Sequence, residues 1–358
     1  MNRQIITTKT KAIKKKRLCT VGILLVLAVV SFFVCICAGS SGMGFIDVAK
    51  TLFGKGTDSQ KLVLLNIRLP RVLAAIIAGG GLSVSGCIMQ KVLGNPMASP
   101  STLGVSNGAV FGANVAIILF GAGSFGSAIN AKLTVSNPYI ITLCAFLGAA
   151  VGIAIILLLS IKSGFSSETV VLCGVAVGAF FSAGTTLIQY FSADTQVSSA
   201  VFWSFGDLGR ASYRECVYMG IITAVGILFS AFASRDLDIM SGGDETAKTL
   251  GINTAVLRCV SLFLASLICA VCVAFLGIIG FVGLIAPHIA KRLVGERMCF
   301  LMPSSALCGM TLLLLSDSLA RSVIPGVSLP VGAVTSFFGG PVFLFLILRE
   351  RRGRIANA

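Results

Sequence analysis

Few residues in this chain could do covalent chemistry, and their spacing argues against it. There is one histidine, His288, so neither a His-based proton relay nor a multi-histidine metal site can be assembled. It follows Pro287 at an expected helix start, which suits a structural hydrogen bond better than a ligand role. Twelve cysteines are present, and Cys35, Cys37, Cys87, Cys144, Cys173, Cys269 and Cys272 sit inside apolar stretches, where Cys packs as a small hydrophobe. Cys269 and Cys272 form a CxxC, but with no second pair and no nearby histidine it reads as packing, not as a metal or redox site. No GxxxxGK[ST] phosphate loop occurs, so any nucleoside triphosphate used must be hydrolysed on another chain. Neither a catalytic set, a metal site nor a bound cofactor is expected.

What remains is charge in unusual places. Asp317 and Arg321 lie four apart in an apolar run, a spacing that fits a simple ion pair and equally a functional site at membrane depth. Arg68 and Arg71 flank Pro70. They either snorkel to lipid headgroups or form, with Arg321, a basic rim that receives acids of a partner protein. Glu168 reads as interfacial. The densest polar stretch is 234–258, SRDLDIMSGGDETAKTLGINTAVLR, an island between two apolar runs. Gly242-Gly243 divides it. Asp244 is placed to cap a short helix to Leu250, closed by Gly251. The island reads as two short helices outside the membrane, with an ordinary loop as the alternative.

These residues must be held by a membrane scaffold. Of 358 residues, 56% are hydrophobic and only 11% charged, against about a quarter in a soluble domain. Apolar runs long enough to cross about 30 Å of hydrocarbon recur, with no barrel-like alternation. The pattern predicts an all-α polytopic protein with ten spans: 18–38, 70–93, 101–120, 138–160, 167–190, 215–233, 257–277, 280–294, 301–320 and 330–348. Basic tails flank this domain at 1–17 and 349–358, and Val21–Ala38 is read as a retained first span because no cleavage site follows it. The net charge of +15 reflects topology, not nucleic acid. With both termini on one side, that side holds 19 of the 28 Lys and Arg, including the island's, which places it in the cytoplasm.

On the other side, 39–66 reads as a loop with one amphipathic turn, 121–137 as a plain connector, and 194–205 as a short surface helix. Trp203 is expected there as an interfacial anchor. The stretches 78–86 and 104–113 are dense in small residues that let helices approach. Gly86–Pro96 and Gly277–Pro287 share a spacing and start from opposite sides, the pattern of an inverted repeat around a transport path.

Several motifs in fixed order resemble the FecCD-type permeases of ABC importers for iron-siderophores, haem and cobalamin. They are RLPRVLAAIIAGGGLSVSGCIMQ (68–90), NPMASPSTLGVSNGA (95–109), AKTLGI (247–252), GIIGFVGLIAPHIAKRLVG (277–295), LLLSDSLAR (313–321) and LPVGAVTSFFGGPVFLFLI (329–347). The resemblance spans about 18–348. It implies a type II ABC importer permease fold in the cytoplasmic membrane of a prokaryote, with both termini cytoplasmic. It implies a second permease copy, a pair of ATPase subunits and an extracytoplasmic substrate-binding protein as partners, with membrane lipid around them. Gly243, Asp244, Glu245, Ala247, Leu250 and Gly251 would belong to the ATPase-coupling segment. Arg68 and Arg321 would face acids of the binding protein. Spans two and five and the short outer helix would line the path, with Met89, Gln90, Asn95, Ser106 and Asn107 as candidates. The implied cargo is an iron chelate, with a ferric-siderophore ahead of haem and cobalamin. An ion-coupled carrier would instead need buried mid-span acids, and a membrane enzyme a clustered nucleophile and base.

Overall fold

The computed structural model describes residues 2–39, 43–52, 54–125, 133–135, 137–162, 166–324 and 327–356. Fifteen helices follow in order among them. The first stretch holds α1 (Asn2–Cys37), α2 (Phe45–Leu52), α3 (Asp58–Leu62), α4 (Leu69–Leu93) and α5 (Val105–Asn114). The middle holds α6 (Pro138–Lys162), α7 (Ser167–Tyr190), α8 (Asp194–Ser204), α9 (Tyr213–Phe232), α10 (Ser234–Met240) and α11 (Asp244–Thr249). The last are α12 (Thr254–Leu276), α13 (Val282–Val294), α14 (Met298–Ser322) and α15 (Val331–Ala356). One π-helical turn joins α3 to α4 and another extends α5 to Leu119. The ten predicted spans correspond to α1, α4, α5 with its π turn, α6, α7, α9, α12, α13, α14 and α15. Seven are long and apolar enough to cross a membrane by length and composition, Val105–Leu119 and Val331–Leu346 are shorter apolar helices, and α13 has only 13 residues. The basic ends are helical: α1 starts at Asn2, and α15 runs on to Ala356. The connector 121–137 is less plain than its sequence, since Gly123–Phe125 and Leu133–Val135 pair as a short antiparallel ladder.

The axis of the bundle is α4, buried from Pro70 to Leu93 with few gaps. A helix apolar all round belongs in such a centre. It packs on α9, α12, α13 and α14. The 78–86 stripe explains how so many neighbours fit. A side chain on Gly86 would collide with the Gly283 carbonyl in α13, and one on Gly309 in α14 would collide with Ser83 and the Gly79 carbonyl.

An internal symmetry is plain in the packing. The quartet α4–α7 has a counterpart in α12–α15: α5 packs on α6 and α7 as α13 packs on α14 and α15, while α12 crosses to α6 as α4 crosses to α14. At the centre α4 and α12 run antiparallel, since Ser85 donates to the Ala265 carbonyl while Gly81 lies nearer Ile268. The repeat is therefore inverted, as expected, but in another register. Gly86 is mid-helix, and the residue of α4 that matches Gly277 is Gly94: both end their helices with positive φ, at 59° and 78°. The helices that follow each begin after a left-handed residue, Gly104 before α5 and Phe281 before α13.

Two ends of the bundle carry the polar groups. At one end lie α10 and α11, the C-terminus of α4 and the start of α14. There Arg17 of α1 sits 5.8 Å over the Phe300 ring and Arg292 donates to the Leu346 carbonyl of α15. The first and last helices thus both reach the island end. At the opposite end lie Arg68, Arg71, α8 and the C-terminus of α14.

Candidate functional site

The island folds as two helices with different tasks. In α10, Leu237 and Met240 are buried, and the helix lies against α4, α9 and α14. Its Asp238 carboxylate sits 2.9 Å from Lys91 Nζ, at the last turn of α4. The same carboxylate accepts the Met298 backbone N–H at 3.0 and 3.2 Å, so it caps the first turn of α14. Lys91 also donates to the Glu296 carbonyl at 2.9 Å, and Glu296 pairs with Lys291 at 2.9 Å. That lysine holds the Glu296 carboxyl below the usual carboxylate range. A cavity of about 200 Å³ is bordered by Gln90, Lys91, Pro96, Pro287, Lys291 and Glu296.

In α11 only Ala247 is buried. The helix ends as the sequence requires. Gly251 has φ 82°, its N–H donates to the Lys248 carbonyl, and the Ile252 N–H donates to the Ala247 carbonyl. That pair of bonds is a Schellman stop, which needs a left-handed residue and so favours Gly. The start differs from expectation. Gly243, at φ 120°, holds the cap position, and Asp244 is the first helical residue. The Asp244 carboxylate is taken by Arg258 of α12, with two parallel bonds of 2.7 and 2.8 Å. Glu245 stays exposed. The stop leaves Leu250 at the tip with 62% of its surface exposed, a large apolar side chain in a polar segment.

The opposite end is built around one buried acid. Asp317 has no exposed surface. Arg321 Nη2 lies 2.7 Å from one of its oxygens and Arg71 Nε 2.8 Å from the other. The i,i+4 pair is therefore real, and Arg71 is a partner the spacing did not reveal. Both oxygens of Asp317 are thus held by cations. Arg68 donates to the Ile36 and Cys37 carbonyls at 2.8 and 3.2 Å, and Arg321 to those of Ala38 and Cys35 at 2.7 Å each. These are the carbonyls that the end of α1 leaves without helical partners. Arg68 is only 3% exposed. The two arginines thus point their donors into this chain and fasten α1 to α4 and α14.

Comparison with known proteins decides the reading. Residues 26–349 match the FecCD transport family. The chain belongs to that family. A protein of Methanocaldococcus jannaschii named as an ABC transporter permease is 46% identical over 344 residues, 96% of this chain and 98% of its own. The Fe(3+)-citrate import system permease YfmE of Bacillus subtilis is 34% identical over 96% of this chain and 99% of its own. A metal-chelate type ABC transporter solved in an inward-facing conformation superposes with a TM-score of 0.78 at 28% identity, covering 93% of this chain and 99% of that one. Like other FecCD proteins, this chain is a multi-pass membrane permease of an ABC importer, and ATP hydrolysis belongs to a separate subunit.

Within this FecCD permease the path candidates fall into two groups. Met89 is fully buried and Ser106 nearly so, both packed inside the single chain. Gln90, Asn95 and Asn107 are half-buried. Gln90 donates to the Leu284 carbonyl at 3.2 Å, Asn107 ties α5 to the Gly178 carbonyl of α7 at 3.1 Å, and Asn95 accepts the Met97 N–H at 2.9 Å. Trp203 is not the surface anchor expected of it. It is 5% exposed, with the Arg210 guanidinium 5.9 Å from its ring and bonded to its carbonyl at 2.8 Å. A cation seven residues downstream was the available signal.

Proposed function

We propose that two copies of this chain enclose the path by which an iron chelate, a ferric-siderophore first and haem or cobalamin as alternatives, enters the cytoplasm. The island end faces the cytoplasm, where an ATPase pair docks, and a substrate-binding protein docks at the opposite end. The basic residues gathered at the island end support that orientation. The permease domain is 18–348, with 1–17 and 349–358 as basic extensions on the cytoplasmic side. The observation that carries the reading is Leu250, 62% exposed beside the Gly251 stop. An apolar tip held out from the membrane domain by a rigid turn suits a groove on another protein. Gly243, Asp244, Glu245, Ala247 and Gly251 shape and present it.

The mechanism is alternating access. ATP binding draws the ATPase pair together, the island moves with it, and the spans tilt. A shift from 1:99 to 99:1 between inward and outward states requires about 5.5 kcal/mol of differential binding. The metal-chelate character of the 28%-identical solved transporter and the iron-citrate permease among the relatives support the cargo class. The exposed face of α7, where Ala176, Ala179, Ala183 and Thr186 stand beside the larger Leu172, Phe180 and Leu187, is open to line the path. Gln90, Asn95 and Asn107 stand as path residues, Met89 and Ser106 as their support. Arg68 and Arg321 act in binding-protein docking by fixing the end of α1 and by their positive field.

The test is Leu250→Asp. It should abolish ATP-driven uptake in proteoliposomes and weaken ATPase capture, with the melting temperature unchanged. Normal uptake would remove the coupling role. Titrating the co-purified binding protein with ferric-siderophores, haem and cobalamin names the cargo.

A further inference from the structure

The island helix that would meet the ATPase, α11, makes little contact with the bundle. Its neighbours are α10 and the start of α12. The motion it receives must pass through specific bonds to reach α4, the axial helix. Among the described residues two such connections stand out. One is Asp244 to Arg258, from α11 to the first turns of α12. The other is Asp238, which joins α10 to Lys91 of α4 at 2.9 Å and to the first turn of α14 through the Met298 N–H. Because α4 and α12 are the crossing pair of the inverted repeat, two of the four acids of one short segment grip the equivalent central helix of each half.

We propose that Lys91 and Asp238 are positioning residues for coupling: their ion pair transmits displacement of the island to α4, while the Asp244–Arg258 pair transmits it to α12. This rests on the reading of 243–251 as the ATPase-docking segment.

The physical argument has three parts. First, the connection is stiff. Leu237 and Met240 are buried on either side of Asp238, so α10 cannot roll without moving its carboxylate. Second, it is specific. Lys91 has a side chain only 9% exposed and spends a second donor on the Glu296 carbonyl, which fixes the ammonium in one place. Third, it is well placed. Lys91 lies at the last turn of α4, just before the left-handed Gly94 and the broken segment that leads to α5, and it borders the cavity of about 200 Å³ at the island end. A pull on Lys91 moves α4 relative to Pro96 and Pro287 on the cavity's border. A mere stability role would not need the charge to sit where α4, α10 and α14 converge.

The experiment uses the whole importer in proteoliposomes, with its ATPase and binding protein, and reads ATP hydrolysed per molecule of cargo imported. Lys91→Met should raise that ratio by at least several-fold while assembly with the ATPase, measured by co-purification, stays at the wild-type level. Lys91→Arg, which keeps the charge and the reach, should restore it. Asp238→Asn tests the link from the other side. It keeps an oxygen for the Met298 N–H but loses the charge that holds Lys91, and it should match Lys91→Met. If one variant does not fold, the other still decides. A wild-type ratio in either, with the complex intact, overturns the proposal. Failure of the unmutated chain to bind an ATPase through the island would instead overturn the docking reading beneath it.

Discussion

Around Asp317, at the end opposite the island, the ions are dry, and at the island end they are partly wet. Asp317 is wholly buried between two arginines whose side chains are each 10% exposed. Asp238 and Asp244 are 32% and 38% exposed, against Lys91 and Arg258 at 9% and 17%. The Lys291–Glu296 pair is wetter still, at 47% and 67%. A buried ion cannot exchange its partner for water without a large cost, so the dry cluster fixes its helices as one unit. A partly wet pair can stay closed while its helices shift together, because water covers whatever charge the shift bares. The Asp317 cluster and the end proposed to move with the ATPase are thus distinguished by hydration as much as by sequence.

The comparison is open to test in order of expected effect. Asp317→Ala leaves Arg321 buried without a counter-ion and Arg71 with only the longer 3.4 Å contact to Asp207, and should destabilise the protein by about 3 kcal/mol, read as a fall in melting temperature in detergent. An unchanged melting temperature would mean the dry cluster does not anchor. Gly251→Val forces a branched residue into the left-handed region at about 1–2 kcal/mol. With nothing within 4 Å of that position, the cost is backbone strain alone, so hydrogen exchange should quicken in α11 and not in α4. Asp244→Ala should cost about 1 kcal/mol or less and less still in high salt, because the pair is screened; a cost as large as that at Asp317 would erase the contrast. The smallest effect is in pH. The Glu296 carboxyl is depressed in the fold by Lys291, so its contribution is present above the unfolded value near about 4.3 and disappears as pH falls through the lower folded value. The loss should stay under about 1 kcal/mol, seen as slightly lower melting temperature below that range.

Much of this was legible in the sequence because it depends on neighbours along the chain. The apolar runs locate ten helices, the i,i+4 spacing of Asp317 and Arg321 finds one ion pair, and Gly251 marks the end of α11. What the sequence concealed depends on partners far apart. Arg71 reaches Asp317 across a separation of 246 residues, and Asp238 caps a helix that begins 60 residues later. Asp244 looked like a cap because small acids favour that position. The cap fell to Gly243, whose φ of 120° suits the turn, and Arg258 then claimed the carboxylate. The repeat was sensed from glycines of equal spacing, yet the matching residues are Gly94 and Gly277, which end helices, because a left-handed exit is what the two halves have in common.

The fastening of α1 carries a consequence for how the chain is made. Arg321 donates to the Ala38 carbonyl, which precedes it by 283 residues. The first helix therefore leaves the ribosome long before its anchor exists. Until α14 is made, Arg68 is the one of these two arginines that can hold the end of α1. The fastening of α1 to α14 closes late in synthesis, and a chain cut short before α14 would lack it.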